Sequence, residues 1–193
     1  MGNRLSVSAG FCCFLALMIL LVPFGWVLAM LLAASFHELC HYGALRLFGK
    51  ERLSLRLAFF GASMPLPPLP QWQEILCALA GPVGSLLLFS LVAWFPRLAI
   101  CGLLQGLSNL MPVYPLDGGR VARGLLTIFS PPPVARKIST WIDRMVYCLL
   151  LILGSYGSFA LRLGLLPICM ALILLFRGIF GKIPCKQKHL GVQ

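Results

Sequence analysis

Residues 26–48 read WVLAMLLAASFHELCHYGALRLF, an apolar run that carries two histidines and a glutamate in its second half. A helix crossing the hydrocarbon core of a bilayer needs about 20 mostly apolar residues, and this run meets that length. Ionisable side chains at such depth cost on the order of 3 kcal/mol each and usually mark function. The stretch therefore predicts a membrane-spanning helix with a chemical purpose.

Working outward, similar runs recur along the chain. One covers about Val7 to Val22 and turns at Pro23-Phe24-Gly25; another covers roughly Trp72 to Phe95. A fourth starts near Leu98 and is disrupted around Pro112 and Pro115. The last two span about Met145 to Leu161 and Leu163 to Phe180. The expected fold is an all-α polytopic membrane protein of about six transmembrane helices, a single membrane domain over residues 1–193. Composition agrees: 60% of residues are hydrophobic and 11% charged, with mean hydropathy +0.93, far too little charge to cover a water-soluble surface. With the N-terminus cytoplasmic, six spans put every Lys and Arg on the inner side except Arg97 and Arg162, as the positive-inside rule requires. The net charge of +11 thus reads as a topology and lipid-headgroup signal. No basic stripe interleaved with aromatics exists, so nucleic acid is not an expected partner. The 8 cysteines show no CxxC and lie mostly in apolar runs, as small buried hydrophobes do. The apolar stretch from Val7 to Phe36 is about twice the length of a signal-peptide core, so two helices are expected there.

Three connecting pieces differ from the spans. RLSLRLAFF, residues 52–60, alternates apolar and polar side chains, the period of a strand. It predicts a small membrane-associated β element between the second and third helices, either a docking edge for an extended chain or a hairpin that only packs. MPLPPLP, residues 64–70, is held extended or turned by its prolines. After Ser130-Pro131-Pro132-Pro133, apolar Val134, Ile138, Trp141 and Ile142 share one face, which predicts an interfacial amphipathic helix ahead of the fifth span. The small residues Ala78, Ala80, Gly81, Gly84 and Ser85 of the third span are expected to allow close helix packing and are assigned no chemistry.

His37-Glu38-Leu39-Cys40-His41 is an HExxH. Side chains four apart share a helix face, so both imidazoles can bind one metal ion. Glu38 lies about 100° round the helix from His37, where a carboxylate can take a proton from a water on that ion. A third protein ligand is needed. The candidates are few: His189 in the tail, Glu51, Glu74, Asp143 and Asp117. Asp117 stands out, because NLMPVYPLDGGR, residues 109–120, breaks its helix with proline and glycine, and unwound backbone at membrane depth is tolerated where it lines a polar cavity. The topology places Asp117 at the same depth as the histidines. Two imidazoles and one carboxylate suit zinc. The competing reading of the same residues is a non-proteolytic metal-binding or transport protein, whose expected internal repeat is missing.

HExxH paired with a later N-x-x-P-x-x-P-L-D-G, here Asn109, Pro112, Pro115, Leu116, Asp117 and Gly118, resembles the site-2 protease family of intramembrane metalloproteases, peptidase family M50. The resemblance covers about residues 7 to 180 and is closest to the sporulation-type branch. It implies one Zn²⁺ per chain on His37, His41 and Asp117, Glu38 as general base, and Asn109 holding substrate or the oxyanion. It implies hydrolysis of peptide bonds in or near transmembrane segments of membrane-tethered proteins, such as a sigma-factor precursor or an anti-sigma factor. The expected partners are the lipid bilayer and that substrate, with an inhibitory membrane protein or a homo-oligomer left open. A bacterial plasma membrane with both termini cytoplasmic is the expected location, the active site nearer that side, and no CBS domain is expected. One departure stands in AGPVGS, residues 80–85, where Ser85 replaces the asparagine of the family's AGP-x-x-N element.

Overall fold

A computed structural model of the chain describes residues 4–50, 54–58, 61–63 and 69–159, with Leu172 and Leu175. It is mostly helical. Helix α1 covers Ala9–Leu21, and its N-cap Ser8 accepts the Phe11 N–H at 3.2 Å, satisfying one orphan donor of the first turn. Pro23 then caps α2, Phe24–Leu47. The chain leaves α2 through Phe48 and then Gly49, whose φ of 70° is open to glycine at no steric cost. That turn lets the Lys50 N–H reach back to the Leu45 carbonyl at 3.2 Å.

Helix α3 covers Gln71–Leu87 and continues as a 3₁₀ turn over Leu88–Leu91. It is the hub of the fold, packing against α2, α4 and α5. Its small residues make this close approach possible: Ala78, Gly81, Gly84 and Ser85 are all buried. Helix α4 is Pro96–Asn109, α5 is Asp117–Phe129 and α6 is Pro132–Phe159. Strands β1 (Arg4–Val7), β2 (Ser54–Ala58) and β3 (Gly61–Ser63) form one sheet. Its order is β1-β2-β3, with β1 parallel and β3 antiparallel to β2. Strand β2 lies inside the alternating stretch 52–60. Strand β1 was not foreseen, because Arg4-Leu5-Ser6-Val7 is too short to show a period.

Two boundaries differ from the sequence reading. The amphipathic stretch after Pro131 and the fifth span are one unbroken helix, α6, of 28 residues. Between Val134 and Leu153 the chain has neither Pro nor Gly, so the change in polarity does not interrupt the backbone. The disrupted fourth span is two short helices, α4 of 14 residues and α5 of 13, joined by a turn at 110–116 that holds a cis Tyr114–Pro115 bond. At 1.5 Å per residue neither reaches the ~30 Å of a hydrocarbon core.

Among the described residues, three helical segments are long and apolar enough to cross a membrane: Phe24–Leu47, Gln71–Leu91 and Pro132–Phe159. Their outer faces are apolar and uncovered, with Leu47 87% and Ile152 65% exposed, a pattern a soluble monomer avoids. The sixth expected span, 163–180, lies outside the described residues apart from Leu172 and Leu175. So do Glu51, His189 and most of the proline run at 64–70. The chain divides into two compact units, Met1–Val146 and Tyr147–Gln193, and every residue of the site described next belongs to the first.

Candidate metal centre

Helix α2 presents His37 and His41 one turn apart on its buried face, 3% and 8% exposed. Their rings meet edge to face, with centroids 4.7 Å apart. Asp117, 8% exposed, is the first residue of α5, a helix end that favours a negative charge. The two elements converge tightly. His37 Nε2 lies 3.1 Å from Asp117 Oδ2, His41 Nε2 lies 3.2 Å from the same oxygen, and the two Nε2 atoms are 3.1 Å apart.

The outward atoms of the rings explain why the inward ones face each other. His41 Nδ1 lies 2.7 Å from the Cys77 carbonyl of α3. A carbonyl only accepts, so Nδ1 carries the proton and Nε2 keeps its lone pair. His37 Nδ1 lies 2.8 Å from the Ser85 hydroxyl, which is 0% exposed and can accept in the same way. Two lone pairs and a carboxylate oxygen then share one buried point, an arrangement that calls for a cation. Donors on a tetrahedral ion at ~2.0–2.1 Å stand about 3.3 Å apart, and the observed triangle of 3.1–3.2 Å fits that shape. Among the described residues, His37, His41 and Asp117 form the group able to hold a metal ion.

Close backbone contact builds the centre. A Cβ on Gly81 would collide with the His41 ring, so only glycine lets α3 approach α2 there. Helix α5 uses Gly118 and Gly119 likewise, since a Cβ at either would strike the backbone of Leu110 or Val113 in the preceding turn. The second carboxylate oxygen of Asp117 faces Arg120 Nη1 at 4.0 Å.

Glu38 is half-buried beside His37 on α2. Asn109 ends α4, and its amide donates to the Gln105 carbonyl of its own helix at 3.1 Å. Glu74 sits in the first turn of α3. Asp143 instead takes the Tyr114 N–H at 2.9 Å and Arg123 at 2.8 Å. Ser85, read from sequence as a packing residue, makes one of the two contacts that orient the histidines. The departure from the AGP-x-x-N pattern was the available signal. The Cys77 carbonyl had none, because a backbone acceptor leaves no trace in side-chain identity.

Comparison with known proteins agrees with this architecture. Residues 84–153 match the model of Peptidase family M50. A Synechocystis sp. protein named as a zinc metalloprotease, sll0528, is 37% identical over 120 residues, 53% of this chain and 32% of its own. The zinc metalloprotease MJ0392 of Methanocaldococcus jannaschii is 26% identical over 144 residues, 66% of this chain and 42% of its own. The chain thus spans about a third to two-fifths of the length of these relatives. The solved site-2 protease from Methanocaldococcus jannaschii superposes with a TM-score of 0.70 at 22% identity, covering 91% of this chain and 89% of that one, and so shares its fold. Family model and curated relatives together make the chain similar to peptidase family M50 over part of its length, and the solved structure shows the site-2 protease fold.

Proposed function

We propose that the chain is an integral-membrane zinc endopeptidase of the site-2 type, which hydrolyses a peptide bond within or beside a transmembrane segment of a tethered protein. The observation that carries this reading is the convergence of His37 Nε2, His41 Nε2 and Asp117 Oδ2 within 3.2 Å, next to Glu38 in the same helix turn. The curated relatives are named as zinc metalloproteases, and the donor set suits zinc.

His37, His41 and Asp117 hold the ion, with their orientation set by Ser85, Cys77 and Arg120. Held by these residues, zinc would supply Lewis acidity toward water and the scissile carbonyl. Glu38 takes the proton of the attacking water and delivers it to the leaving amide nitrogen. Asn109 is placed by its motif to steady the substrate carbonyl as charge develops. A substrate helix must unwind locally to expose its carbonyl, so cleavage is expected near helix-breaking residues. The sporulation-type branch, with a membrane-tethered sigma-factor precursor as substrate, is the finer reading, supported by the paired HExxH and N-x-x-P-x-x-P-L-D-G motifs.

The deciding experiment pairs the wild-type chain with Glu38→Gln in lipid nanodiscs, with a panel of tethered substrates. Loss of cleavage by a factor of about 10²–10⁴, with zinc retained, is expected. Equal cleavage by the variant, or metal transport with no fragments from the wild type, would refute the assignment.

A further inference from the structure

We propose that Asp143 of α6 is a positioning residue for the metal-binding Asp117, an inference that rests on the zinc reading above. The turn 110–116 decides where α5 begins, and therefore where the Asp117 carboxylate points. Gly118 and Gly119 press that turn directly against the first coil of α5. Asp143, 8% exposed, then fastens both parts with its two oxygens. Oδ1 accepts the Tyr114 N–H at 2.9 Å, three residues before Asp117. Oδ2 accepts Arg123 Nη2 at 2.8 Å, from the body of α5.

Arg123 completes the clasp. Its Nε donates to Ser139 Oγ at 2.7 Å, on a serine only 4% exposed. Its guanidinium also lies 4.2 Å from the centroid of the Tyr114 ring, within cation–π range. One carboxylate from α6 therefore brackets Asp117 from both sides along the chain. The Arg123–Asp143 contact is part-buried and charge-assisted, stronger than a bond between neutral groups, and partners behind a metal ligand hold it in its productive orientation. The metal site extends in this way from α2, α3 and α5 to the first half of α6. In the sequence, Asp143 is only one of the few carboxylates available as a third metal ligand.

The test uses the full chain in nanodiscs, with Zn²⁺ affinity measured by chelator competition and the visible spectrum of the Co²⁺-loaded protein as a report on ligand geometry. Asp143→Asn keeps the shape but gives the Tyr114 N–H and Arg123 one acceptor between them. Affinity should fall about tenfold, the Co²⁺ bands should shift, and Asp143→Glu should recover part of both. Arg123→Lys, which keeps the charge but loses the fork, should fall in the same direction. Wild-type Zn²⁺ affinity and Co²⁺ spectrum in either folded variant would overturn the proposal. If the wild-type chain itself binds no Zn²⁺, the zinc reading fails. If it binds and the variants match it, only the role of Asp143 fails.

Discussion

His41 Nδ1 faces the Cys77 carbonyl at 2.7 Å, and this one contact between α2 and α3 sets the tautomer of the ring. With the proton on Nδ1, Nε2 must present its lone pair to His37 and Asp117. The acceptor is a backbone atom, so no side-chain substitution removes it directly. Its distance depends on how closely the helices pack, and that depends on Gly81.

Gly81→Ala is therefore expected to damage the metal centre rather than only the core. The added methyl meets the His41 ring, and overpacking of this kind costs about 1–3 kcal/mol. Metal analysis of the purified protein should show zinc content well below that of the wild type. Full zinc content with wild-type cleavage would show that α3 yields without cost.

Ser85→Ala tests the other orienting contact. Losing the hydroxyl leaves His37 Nδ1 without its buried partner, and outer partners of metal ligands are typically worth 10–100-fold in metal affinity. Chelator competition should report a loss in that range with helicity by circular dichroism unchanged. Unchanged affinity would make Ser85 a packing residue after all.

Asn109→Ala separates binding of metal from handling of substrate. The residue lies at the end of α4 and outside the His37–His41–Asp117 triangle, so zinc content should stay at the wild-type level. Loss of a donor at a developing oxyanion typically lowers kcat by about 10²–10³, measured on one defined tethered substrate. Loss of zinc instead of kcat would reassign Asn109 to the metal centre.

Zinc should also stabilise the folded protein. A ligand bound only by the folded state at about 1,000 times its Kd adds about 4 kcal/mol. Thermal unfolding in nanodiscs should therefore rise in midpoint when zinc is restored to chelator-treated protein, and His41→Ala should abolish the response. An equal response in His41→Ala would place the ion elsewhere.

The contrast between what could and could not be read from sequence has a physical basis. His37 and His41 were legible because helical spacing puts residues four apart on one face. Asp117 was legible because Pro112, Pro115 and Gly118 announce a helix break, and α4 and α5 do part there. Ser85, Cys77 and Asp143 act only through neighbours supplied by other helices, and the chain does not state which helices pack together. The continuity of α6 was missed because its polarity changes near Met145 while its backbone does not. Strand β1 depends on pairing with β2, about fifty residues later, a non-local contact that four residues cannot signal.

X-ray absorption at the zinc edge addresses the shared-cation claim most directly. Two imidazole rings and oxygen donors at about 2.0–2.2 Å are predicted for the wild type, with the imidazole signal reduced in His41→Ala and zinc binding weakened in Asp117→Ala. A sulfur shell near 2.3 Å, or a spectrum indifferent to both substitutions, would contradict the placement of zinc on His37, His41 and Asp117.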